Sequence, residues 1–138
     1  MKIKVKDSMK KVTRPEDIYK LLDGYFAGLD KVDQDKEHFF VFHIDSRNHI
    51  KIMELVSIGT LDSSLVHPRE VYTRAVSERS AKICIAHNHP SGDAEPSHED
   101  IMITQRLVKA GDLLGVKVVD HIIYTKSGYC SMKEKNLM

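Results

Sequence analysis

Cysteine is scarce in this chain and tryptophan is absent: 138 residues carry two Cys and no Trp. Cys84 and Cys130 make neither a disulfide framework nor a thiolate metal site. A chain of this length is about one domain, on a prior of roughly 100–200 residues each, and can bury roughly two thirds of its unfolded surface without staples. An excess of charge is missing too. Lys+Arg is 21 and Asp+Glu is 20, leaving +1, which argues against binding dominated by many phosphate contacts. No window approaches the ~18 apolar residues of a membrane span. The N-terminus has no apolar h-region, so no secretory signal is expected. With no paired cysteines either, the expected setting is reducing and cytoplasmic. There is no internal repeat, low-complexity tract or long linker. What is present is 41% hydrophobic and 30% charged residues, the balance of a folded soluble domain, together with eight histidines.

Charge is uneven along the chain. Residues 1–14 hold six Lys/Arg against Asp7, leaving a mildly acidic body over 15–138. Lys2-Ile3-Lys4-Val5-Lys6 alternates as an edge strand guarded by lysines does, and such a strand could pair with a second copy. The arm is a solvated terminus or edge strand, with a weak acidic-partner or nucleic-acid contact as the alternative. Thr13-Arg14-Pro15-Glu16-Asp17 predicts a helix start with Thr13 as the cap, followed by Ile18, Leu21, Leu22, Tyr25 and Leu29 at helical spacing. His38 to Ile44 and His49 to Ile58 predict a hairpin around Asp45-Ser46-Arg47-Asn48. A loop is expected at 60–64 and a second helix from Pro68 to about Ser80. A short strand follows at Ile83 to Ala86, then a loop from His87 to Pro96 and a third helix from Ser97 to about Gly111. Val116 to Tyr124 reads as a strand broken at Asp120-His121, and a turn at Ser127-Gly128 leads to a last strand, Tyr129 to Met132. The sum is one mixed α/β domain.

The informative stretch runs from His87 to Asp100. In extended backbone, residues i and i+2 point to one side, so His87 and His89 can converge on one ion. Asp100 lies in the first turn of the next helix, and the loop containing Pro90, Gly92 and Pro96 can fold that turn back over the histidines. Two neutral imidazoles and a carboxylate, with a fourth position for water, make a catalytic zinc arrangement. Ser97, three residues before Asp100, is either the hydroxyl of a capping box or a group that steadies an oxyanion; the two roles can coexist.

His-x-His, seven residues, then Ser-x-x-Asp resembles the motif of the JAMM (MPN+) zinc metalloproteases, at His87, His89, Ser97 and Asp100. The flanking words are closer to the RadC-like branch of that family: Asp35-Lys36-Glu37-His38-Phe39, Glu54-Leu55-Val56-Ser57-Ile58-Gly59, Val66-His67-Pro68-Arg69-Glu70-Val71, Ala86 to Asp93, and Asp120-His121-Ile122-Ile123. The resemblance covers about Pro15 to the C-terminus. It implies a single compact JAB/MPN-like (cytidine deaminase-like) α/β domain over 15–138, a mixed central sheet flanked by helices. It also implies Zn2+ held by His87, His89, Asp100 and water, with Ser97 stabilising the oxyanion. A glutamate from an earlier segment would act as general base. Glu37, at the mouth of the strand after the first helix, is favoured over Glu54.

Asp120 and His121 interrupt an apolar strand. They either support a zinc-bound histidine from behind or tie the strand to a loop. Ser91 and Asp93 line the cleft or serve the turn. The function the resemblance implies is hydrolysis of a peptide or isopeptide bond in a peptide or protein substrate. The alternative is a RadC-type DNA repair or recombination role without hydrolase activity. Longer RadC-like proteins carry a helix-hairpin-helix region, and with about 14 residues before the first helix that module is expected to be absent.

Overall fold

The central strands are buried along nearly their whole length, which places them between two layers. In the computed structural model, which describes residues 1–59 and 66–138, a six-stranded sheet has the order β1-β3-β2-β4-β5-β6. The strands are β1 (Lys2–Ile3), β2 (Glu37–Ile44), β3 (Ile50–Gly59), β4 (Lys82–Asn88), β5 (Lys117–Thr125) and β6 (Gly128–Ser131). The helices are α1 (Pro15–Ala27), α2 (Lys31–Gln34), α3 (Pro68–Ser77) and α4 (His98–Leu114). Among the described residues, only β4 and β5 pair in parallel, and α4 is the crossover between them. Among the described residues, no helix is long and apolar enough to cross a membrane.

The alternation of side chains across a strand sorts the core. From β2, Phe40, Phe42 and Ile44 pack with Ile18, Leu22 and Phe26 of α1. Phe39 and Val41 face the other way, onto Val71 and Tyr72 of α3 and Ile103 and Leu107 of α4. The same rule puts Cys84 and Ala86 of β4 toward α1, and Ile83 and Ile85 toward α4. His87 continues that second series. The backbone N–H of His89 still donates to the Tyr124 carbonyl at 2.9 Å, so the ladder holds one residue past the strand's end.

Several local expectations are corrected. The α1 cap is Arg14 rather than Thr13; Asp17 satisfies the helix start instead, accepting from the N–H groups of Thr13 and Arg14. α3 stops at Ser77 and α4 runs on to Leu114, where Gly115 closes it in the left-handed conformation at φ 76. β5 is not broken at Asp120-His121. A bulge between its pairings to Ile83 and Cys84 absorbs the irregularity, and the strand continues. α2 and a single 3₁₀ turn at Asp7–Met9 have no counterpart in the predicted elements, being too short for periodicity to register. The predicted loop at 60–64 lies outside the described residues.

Candidate metal centre

β4 delivers the two histidines to one side, and α4 delivers the acid. Ser97 caps α4: its Oγ accepts from the Asp100 N–H at 3.1 Å, and its own N–H donates to Asp100 Oδ2 at 2.8 Å. This capping box fixes the carboxylate rotamer. A negative group at N3 also suits the helix's positive end. Asp100 Oδ1 then lies 3.0 Å from His87 Nε2 and Asp100 Oδ2 3.0 Å from His89 Nε2. One donor atom from each of the three residues falls within 4.8 Å of the others.

The proton arrangement of the imidazoles follows from their other contacts. The Thr104 hydroxyl donates to the Asp100 carbonyl at 2.7 Å, so it accepts from His121 Nδ1 at 2.5 Å. His121 Nε2 is then an acceptor and takes the proton of His87 Nδ1 at 2.8 Å. His89 Nδ1 donates to the Asp93 carbonyl at 2.8 Å. Both Nε2 atoms are thereby left with lone pairs, and they face each other at 3.1 Å. Two lone pairs at that separation repel unless a cation lies among them. The donor set, two imidazole nitrogens and a carboxylate held from behind by hydrogen bonds, fits a divalent metal.

The electrostatics agree. Burial alone would raise the Asp100 carboxyl, but the facing His87 and His89 rings, cationic whenever they carry a second proton in place of a metal, hold it well below the usual carboxylate range. Burial would lower His89, yet Asp100 and the Asp93 carbonyl outweigh it and raise the imidazole. Burial, with His87 adjacent, pushes His121 far down and keeps it neutral.

A cavity of about 870 Å³ opens above this cluster, lined by Glu37, His89, Pro90, Ser91, Ser97 and Asp100 among others. Glu37 starts β2 opposite Gly59 and is near enough to help raise His89. Its segment is fixed from β4: Asn88 Oδ1 accepts from the His38 N–H at 2.7 Å, and Asn88 Nδ2 donates to the Lys36 carbonyl at 2.9 Å. Ser91 sits in the turn, its Oγ accepting from the Asp93 N–H at 3.3 Å.

Two residues singled out in the sequence are elsewhere. Glu54 is bonded to His43 Nε2 at 2.9 Å and Arg74 Nε at 3.1 Å, locking β2 and β3 to α3, and it does not line the cleft. Asp120 does not support the centre. Adjacent strand residues point to opposite faces, so while His121 faces His87, the Asp120 carboxylate accepts from Ser131 Oγ at 2.6 Å and the Lys133 N–H at 3.1 Å. Thr104 and Asn88 escaped the sequence reading. Thr104 is one helical turn after Asp100, on the same face, and that spacing was the available signal. Asn88, between two histidines on a strand, points to the opposite face and gave none.

The comparisons bear on the whole chain. The profile of the RadC-like JAB domain family matches residues 12–137. The chain is 42% identical over 134 residues to a "UPF0758 protein" of Methanosarcina mazei, covering 97% of this chain and 56% of that one. It is 47% identical over 104 residues to one of Syntrophomonas wolfei, covering 75% and 44%. A third, from Pelodictyon phaeoclathratiforme, is 41% identical over 129 residues, covering 94% and 56%. The chain thus spans about half the length of these curated relatives, whose shared name states no activity. A profile that matches nearly all of the sequence, over a sheet that sets His87, His89 and Asp100 together, gives the family: the chain belongs to the RadC-like JAB domains.

Proposed function

We propose that this domain is a zinc-dependent hydrolase of a peptide or isopeptide bond. One observation supports the reading above others. Two bare Nε2 atoms and a carboxylate converge at the floor of a cleft that also contains Glu37 and Ser97. Two nitrogens and one oxygen are a donor set of catalytic rather than structural zinc, which would close all four positions with protein. When bound, the ion supplies Lewis acidity, polarising the amide carbonyl and acidifying water.

The chain's own groups do the rest. Glu37 takes the proton from the attacking water and returns it to the leaving nitrogen. Asn88 holds the backbone on both sides of Glu37. Ser97 Oγ accepts from Asp100, so its hydroxyl proton remains to donate toward the developing oxyanion. His121 keeps the His87 proton on Nδ1.

The test is zinc stoichiometry and amide cleavage on one preparation, with a peptide library read by mass spectrometry. Wild type is expected to hold one zinc and cleave. Glu37→Gln is expected to hold zinc with turnover lower by about 10²-fold or more. Zinc-loaded protein that cleaves no amide would overturn the hydrolase reading, and full turnover in Glu37→Gln would overturn the assignment of the base.

A further inference from the structure

A second cavity, about 670 Å³, lies at the far end of the sheet, over the face packed by α1. Its floor is aliphatic, with Ile18 from α1, Ile44 from β2 and Ile122 from β5. Its walls carry Arg14, Lys82, Lys117 and Lys133. Lys82 and Lys117 open β4 and β5 and are registered partners on these neighbouring strands. Like charges placed side by side across a ladder destabilise it. Among the described residues, neither lysine has a carboxylate within ion-pair distance; Lys82 donates only to the neutral Asn48 side chain.

The acids of the cavity do not cancel this. Asp120 is occupied by Ser131, Lys133 and its own neighbour's N–H, and Glu134 is exposed at the rim. Arg14 is paired with Glu16 at 3.9 Å, and Lys82, Lys117 and Lys133 against Asp120 and Glu134 still leave a positive lining over an apolar floor. The volume falls within the roughly 300–1,000 Å³ of small-molecule sites. We infer that this cavity binds an organic phosphate, its apolar body on the aliphatic floor and its phosphate between Lys82 and Lys117. The inference does not depend on the metal centre, which lies at the opposite ends of β4 and β5.

The test titrates the full chain, with chelator present, with 1-naphthyl phosphate, 1-naphthol and inorganic phosphate, followed by backbone amide shifts. The naphthyl phosphate is expected to bind at least about tenfold tighter than either fragment, as a charge-assisted contact added to apolar burial requires. Shifts are expected at Ile44, Lys82, Lys117 and Val119. Lys82→Met with Lys117→Met is expected to weaken binding about tenfold or more. The same double variant should melt no lower than wild type at low ionic strength, because it removes a like-charge pair. Equal affinity for naphthol or for phosphate alone, shifts confined to the His89–Ser97 cleft, or no binding would overturn the inference.

Discussion

His121 is not one of the three donors, yet through its bond to His87 it decides which nitrogen of that ring carries the proton. His121→Phe keeps the volume and removes the acceptor, so zinc affinity is expected to fall about 10- to 100-fold by calorimetry. Glu54→Gln provides the contrast. It leaves zinc binding intact but weakens contacts to His43 and Arg74, at a cost of about 1–3 kcal/mol in denaturant unfolding. A zinc affinity that moves with Glu54 and not with His121 would invert this account. The ligand trio was legible because a strand's period of two and a capped helix start are both local rules, read at His87, His89 and Asp100. The Asp120-His121 pair was legible only as a pair. Which member faces the site depends on the face each occupies, and that is set by packing across β4 and β5.

At the scale of elements, α4 is held against α3 by a close approach. A Cβ on Gly111 would collide with the Val116 carbonyl and the Tyr72 hydroxyl, and that hydroxyl donates to the Leu107 carbonyl at 2.6 Å. Gly111→Ala is expected to cost about 1–3 kcal/mol by overpacking, measured as a shift in the unfolding midpoint. A neutral result would mean that α4 can slide. The apolar periodicity ends this helix near Gly111; that glycine serves the contact with Tyr72, and Gly115 closes the helix. The hairpin, α1 and the order of elements were legible from apolar periodicity. The parallel pairing of β4 with β5, and the placing of β3 outside β2, were not, since long-range pairing leaves no local pattern.

For the whole molecule, pH reads the buried histidines. Burial depresses His43 and His121. Their contribution is therefore present above the unfolded value of 6.5 and is lost as pH falls below it. His89, raised by Asp100, has the opposite sign: its contribution is present below 6.5 and is lost as pH rises through the folded value. With two groups against one, metal-free stability is expected to decline from pH 7 to pH 5, and His121→Phe should flatten that decline. A profile that rises toward pH 5 would contradict it. The near-neutral total charge concealed a division that only the fold displays: a donor cluster at one end of the sheet and a cationic cavity at the other. The central claim is that His87, His89 and Asp100 hold one divalent metal. Anomalous diffraction at the zinc edge, from crystals grown with zinc, tests it most directly. One peak about 2.0–2.2 Å from both Nε2 atoms and an Asp100 oxygen is predicted; no peak there, or a peak elsewhere alone, would contradict it.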